Sequence, residues 1–257
     1  MSAALRRRGL RWQGERDPTP VLVPRGRAPT QHTAMLHHYS YRLFLRDVLT
    51  QREKLTPATL CRYVSSEVAA RYLRVLQRAR LIERSGRTYR LRAARIVSFG
   101  GTLEWYVAEL LSREFGCTAT YGVRIPGAPH GGDYDVVACA EGALLYVETK
   151  SAPPRQIDSP QIDAFLDRVN TVRPDMALFL VDTTLRMRDK IVPFLARALR
   201  ARGLAVCPER LEREVWRVGA GLYVLNADPD LRHALGTALA AHFRARGIAV
   251  PVRLVAD

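Results

Sequence analysis

The segment from Asp133 to Lys150 restricts the fold more than any other part of the chain. It reads Asp133-Tyr134-Asp135-Val136-Val137-Ala138-Cys139-Ala140, then Glu141-Gly142, then Ala143-Leu144-Leu145-Tyr146-Val147-Glu148-Thr149-Lys150. Both arms read as strands, and the acid-glycine pair between them suits a two-residue turn. Such a turn fixes the pairing. It sets Asp135 opposite Glu148 and Asp133 opposite Lys150, while Glu148 and Lys150, two positions apart, share a face. A bulged three-residue loop would shift this register by one.

Directly opposed residues hold their Cβ atoms about 4.5–5.5 Å apart, and like charges there are destabilising. Two carboxylates converging at the foot of an apolar hairpin need a cation or a raised pKa. Mg2+, or Mn2+ in its place, suits them, because it takes one or two carboxylates, several waters and a substrate phosphate. A neighbouring lysine can orient or deprotonate the attacking water, which an arginine, always protonated, cannot. Only three of the 40 basic residues are lysines: Lys54, Lys150 and Lys190.

The net charge of +15 is unevenly spread. Residues 1–36 hold seven Arg against two acids, and 37–95 hold fourteen Lys and Arg against four. Residues 96–257 hold nineteen of each sign. A basic module is thus joined to a neutral one, and concentrated positive charge is what a polyanion-binding surface requires. The 257 residues, 47% of them hydrophobic, are enough for one or two domains with a real core. No apolar run reaches the length of a membrane span, and the basic N-terminus lacks the apolar stretch of a signal peptide. Cys61, Cys117, Cys139 and Cys207 lie far apart, against both a disulfide framework and a structural zinc site. These features lead to the expectation of a cytoplasmic, nucleoid-associated protein with no membrane partner.

Residues 1–36, with four prolines among the arginines, read as a disordered basic arm. Beyond it, apolar spacing predicts a helix over 38–52, a short helix opening at Thr56-Pro57, and a third helix over about 66–80 capped by Ser65-Ser66. A hairpin over 82–91 follows. Three helices and a basic hairpin over 37–95 resemble a winged helix-turn-helix domain. The resemblance implies that Arg71, Arg74 and Arg78 enter the major groove and that Arg84, Arg87 and Arg90 on the wing contact the backbone. A protein-docking winged helix is the alternative.

From 96 the pattern is mixed α/β. Helices are expected at about 102–115, from Ser159-Pro160 onward, at 186–201 and at 229–246. Strands are expected near 118–124, 134–140, 143–150, 176–181, 204–207 and 214–225. Within this region Asp135, the hairpin, and Glu148-Thr149-Lys150 resemble the core motif of the PD-(D/E)XK nuclease superfamily, with the likeness extending over 98–185. It implies a restriction-endonuclease-like central mixed sheet flanked by helices, preceded here by the small winged-helix domain, with 96–257 as the nuclease-like unit. It implies a metal held by Asp135, Glu148 and the Thr149 carbonyl, with Glu104 on the preceding helix completing or supporting the site and Lys150 positioning water. The reaction would be Mg2+- or Mn2+-dependent hydrolysis of DNA, with RNA also admissible and a homodimer expected by analogy.

Two positions depart from the superfamily pattern. Tyr134 stands where proline is common, and Gln161 with Phe165 matches a Gln-xxx-Tyr motif of one branch except for its aromatic residue. His130, in the loop before the hairpin, is a weaker candidate for the metal or phosphate, as is Asp133. Asp182 reads as a helix or turn cap, Lys190 as solvated, and Trp105 and Trp216 as core or partly buried. The rival class is a winged-helix regulator using a nuclease fold as a non-catalytic scaffold. A third reading is an RNA-directed or cyclic-nucleotide-activated nuclease, with the region after 200 as a regulatory or dimer surface.

Overall fold

A computed structural model describes residues 1–13, 21–24, 30–92, 95–128 and 133–246. The chain opens with helix α1 (Ser2–Arg7), followed by α2 (Gln31–Met35) and α3 (Tyr39–Gln51). The described parts of the supposed arm are therefore ordered. Ala4 and Leu5 of α1 are buried, and Arg8 donates to the Arg173 carbonyl at 2.9 Å and to Asp175 at 3.0 Å. Leu22 is wholly buried, and its N–H donates to Thr102 Oγ1 at 2.9 Å. Proline and arginine content predicts disorder here, but the isolated apolar residues Leu5, Trp12, Leu22 and Leu36 join the two hydrophobic cores.

Helix α4 (Ser66–Arg78) begins where Ser65 accepts from the Val68 N–H, and it buries Tyr72, Leu73, Val75 and Leu76 while Arg71, Arg74 and Arg78 stay exposed. The hairpin β1 (Ile82–Ser85) and β2 (Thr88–Leu91) follows, and Leu55 exchanges both backbone hydrogen bonds with Tyr89 to add a third, one-residue strand. The short helix expected from Thr56-Pro57 is only a turn, closed by Leu60 N–H on the Pro57 carbonyl and by reciprocal Thr56–Thr59 bonds. So few residues cannot repay helix nucleation.

The second half contains α5 (Gly100–Phe115), β3 (Thr118–Arg124), β4 (Asp133–Ala140), β5 (Ala143–Lys150), α6 (Ser159–Val172) and β6 (Met176–Val181). It continues with α7 (Ile191–Ala201), β7 (Glu209–Glu212), β8 (Val215–Gly219), β9 (Leu222–Leu225) and α8 (Leu231–Ala245). One seven-stranded mixed sheet runs β3-β4-β5-β6-β9-β8-β7. Its centre, β5-β6-β9, is parallel, and both flanks are antiparallel. Side chains alternate across it with the period of two that a pleat imposes. Val136, Leu145, Val147, Leu178 and Leu180 join the core under α5 and α8, whereas Leu144, Tyr146, Ala177, Phe179 and Val181 join the core under α6 and α7. The result is an α/β fold with helices on both faces.

Three expected boundaries are corrected. The strand placed at 204–207 lies at β7, and 214–225 is two strands joined by a turn at Gly221. That glycine has φ +70, and a Cβ there would sit 2.6 Å from the Asp175 carbonyl oxygen. Helix α7 starts at Ile191, five residues later than its periodicity predicted.

The core beneath α3 and α4 is continuous with that of α5 and the sheet. Arg42, fully buried, forms an ion pair at 2.8 Å with Asp182, also fully buried, just past the end of β6, and Arg46 joins the same carboxylate. Asp182 is thus the anchor of α3 rather than a cap. Among the described residues no helix is long and apolar enough to cross a membrane.

Candidate active site

The hairpin pairs Val136 with Val147 through to Ala140 with Ala143, the register its two-residue turn dictates, with Glu141 and Gly142 both at positive φ. β4 and β5 are antiparallel, so the start of one and the end of the other meet at the same edge of the fold. There Asp135 does not confront Glu148 as a laddered pair. Its Oδ2 accepts from the Thr149 N–H at 2.7 Å and from Thr149 Oγ1 at 3.1 Å. The mutual repulsion expected of opposed carboxylates is relieved by turning one of them onto a backbone amide. On the other side of β4, Tyr121 pairs with Val136 and Val123 with Tyr134, and Gly122 between them has φ +58.

Glu148 is only 2% exposed. It shares one face of β5 with Tyr146 and Lys150, and all three interact. Lys150 Nζ donates to Glu148 Oε1 at 2.8 Å, and the Tyr146 hydroxyl donates to Oε2. Arg168 of α6 donates from Nη1 to both oxygens at 3.2 Å. Arg168 was not foreseen in the sequence. Its signal was there: Gln161, Phe165 and Arg168 recur at the i, i+4, i+7 spacing of one helix face, and Phe165 points that face at the sheet.

Glu104 of α5 completes the cluster electrostatically. Its pKa is pushed up to about 8, first by burial and then by the charges of Asp135, Glu148 and Asp133, with Lys150 opposing. Burial and the Glu148 charge push Asp135 up to about 7, against the hydrogen bonds from Thr149 and the charge of Lys150. The acids outweigh the cations within reach, so at neutrality part of the negative charge is suppressed by bound protons. Burial and like charge together are what raise these two carboxyls.

The remaining expectations divide. Asp133 pairs with Arg124 of β3 at 3.0 Å, both exposed. Gln161 is a helix cap: it and Asp158 exchange hydrogen bonds at 3.1 Å in a capping box, so Asp158 rather than Ser159 is the cap residue. Phe165 is core. His130 lies outside the described residues. Lys190 donates to the Arg155 carbonyl at 2.9 Å and lies over Phe194. Arg71, Arg74, Arg78, Arg84, Arg87 and Arg90 are all exposed, though Arg90 is held by Glu83 and Arg84 bonds the Gly86 carbonyl. Among the described residues no three His, Cys, Asp or Glu side chains stand close enough together to enclose a metal ion as they are.

No family model matches the chain, and no curated protein matches it. Solved structures do. Protein VC1899 from Vibrio cholerae superposes with a TM-score of 0.51 at 17% identity, covering 96% of this chain and 62% of that one. Can2 from Sulfobacillus thermosulfidooxidans, solved in complex with cyclic tetra-adenylate, superposes with a TM-score of 0.45 at 16% identity, over 81% of this chain and 53% of that one. The chain therefore spans less than two thirds of either protein's length. The likeness to VC1899 is one of fold.

Proposed function

We propose that this chain is a metal-dependent nuclease that hydrolyses DNA phosphodiester bonds, guided by a DNA-binding winged helix formed by residues 37–95. The observation that carries the reading is the gathering of Glu104, Asp135, Glu148 and Lys150 at one edge of the sheet, in the order the nuclease motif requires. The donors are all hard oxygens, which suit Mg2+ or Mn2+ rather than zinc. Their excess of negative charge, held down by protons on Glu104 and Asp135, is chemically matched to a divalent cation. Asp135, Glu148 and the Thr149 carbonyl would hold it, with Glu104 at its margin. When bound, the metal supplies a water of lowered pKa and a counter-charge for the phosphate. Lys150, 2.8 Å from Glu148, is placed to orient that water and steady charge on the phosphate.

Affinity would come from the exposed arginines of α4 and the hairpin. Because the second half carries no net charge, binding should weaken steeply with salt through the first half alone. The test is cleavage of labelled duplex, supercoiled plasmid, four-way junction, flap, single-stranded DNA and RNA with Mg2+ or Mn2+, beside Glu148→Gln. Metal-dependent cutting that falls at least a hundredfold in the variant is the expected result. Salt-sensitive DNA binding with no cutting of any substrate would leave a binding protein on a nuclease-like scaffold. Light scattering in the same buffers tests the homodimer.

A further inference from the structure

Glu148 is saturated with donors. Oε1 receives Lys150 and Arg168, and Oε2 receives Tyr146 and Arg168. A carboxylate oxygen offers about two lone-pair directions, so neither oxygen has one free for an inner-sphere cation. Two of the donors, Tyr146 and Lys150, belong to β5 itself, on the same face as Glu148. Arg168 alone comes from another element, and it alone spans both oxygens, at equal distances of 3.2 Å. Its side chain keeps 23% exposure, whereas Glu148 has 2%, so it has somewhere to go.

We infer that Arg168 is a positioning residue that competes with the divalent cation for Glu148: it holds the carboxylate in place while the site is empty and yields an oxygen when the metal enters. This inference rests on the nuclease reading of the same site. A guanidinium bonded to both Glu148 oxygens would have to give way before an ion could bind there. Arg168 then has an effect opposite to that of an ordinary supporting residue. Removing it takes a positive charge from beside the ligands, and Coulomb attraction for the metal rises. Removing it also frees the carboxylate to rotate, and small misplacements at a reacting centre are costly in rate.

The experiment titrates Mn2+ into the full chain and follows free ion by electron paramagnetic resonance, for the wild type, Arg168→Met, Arg168→Lys and Glu148→Gln. Cleavage is measured at saturating Mn2+ on whichever substrate is cut. Arg168→Met should tighten Mn2+ binding by about fivefold while lowering kcat by at least about tenfold, and Arg168→Lys should keep the affinity near wild type. If Mn2+ binding depends on Glu148 yet is unchanged or weaker in Arg168→Met, the competition is refuted and the metal site stands. If no protein binds Mn2+ in a Glu148-dependent way, both fail. Thermal unfolding screens each variant for folding, and Arg168→Gln replaces Arg168→Met if the latter does not fold.

Discussion

At the scale of single residues, burial decides what a charge can do. Glu148 and Asp182 are both buried carboxylates, each facing arginine, yet their surroundings differ. Asp182 is matched by Arg42 and Arg46, which hold its carboxyl below the ordinary range against the opposing effect of burial. Glu148 shares its neighbourhood with two other acids. Truncating Asp182 leaves the wholly buried Arg42 guanidinium with no counter-charge. Asp182→Ala should therefore lower folding stability by about 3–5 kcal/mol, measured by urea unfolding. Arg42→Met combined with Asp182→Leu should recover most of that loss, because a hydrophobic pair of similar volume can replace a buried ion pair. A double variant no better than the single would show that Arg42 contributes chiefly through its bonds to the carbonyls of Leu36 and His37.

At the scale of elements, legibility followed the range of the signals. The β4–β5 register was readable because a two-residue turn fixes it locally, and α5, β3 and β6 were readable from clean periodicity. The end of the ladder at Asp135 was not, because Thr149 captures the carboxylate by a contact that no pattern encodes. The contacts of Asp133 and Gln161 were hidden for the same reason: Arg124 lies on another strand, and a capping box resembles a motif of polar site residues. Arg168 was missed because its role depends on where α6 docks. The β8–β9 turn was hidden inside one long apolar run, although Gly221 marks it. Gly221→Ala should destabilise the protein by at least about 1–3 kcal/mol, through positive φ and the clash with Asp175 together. A calorimetric melting temperature equal to wild type would overturn that.

At the scale of the whole molecule, the site and the fold's stability are coupled through protons. Glu104 and Asp135 titrate higher in the folded chain than their ordinary values of 4.5 and 3.8. Folding therefore binds protons. Their favourable contribution is complete below those ordinary values and is lost as pH rises through about 7 and about 8. His32 works in the opposite sense. Buried, and bonded to Tyr41 and the Leu22 carbonyl, it is lowered to about 4, so its cost grows only as pH falls below 6.5. Between pH 6.5 and 9 the acids dominate this comparison, and the metal-free chain should unfold at lower urea at pH 9 than at pH 6.5. Glu104→Gln should flatten that dependence, and saturating Mg2+ should do the same if the acids bind it. A difference that persists in Glu104→Gln at full size would place its origin elsewhere.

The Asp182 anchor has a consequence for inheritance. Its backbone N–H donates to the Lys150 carbonyl at 2.8 Å, while its side chain secures Arg42 and Arg46. The α3 arginines and the Lys150 backbone are thus joined through a single residue, Asp182. Recombination that exchanged either half for a foreign counterpart would strand a buried charge and loosen the strand end carrying Lys150. The two halves are bound to descend as one unit, each tolerating only those changes that the other can answer.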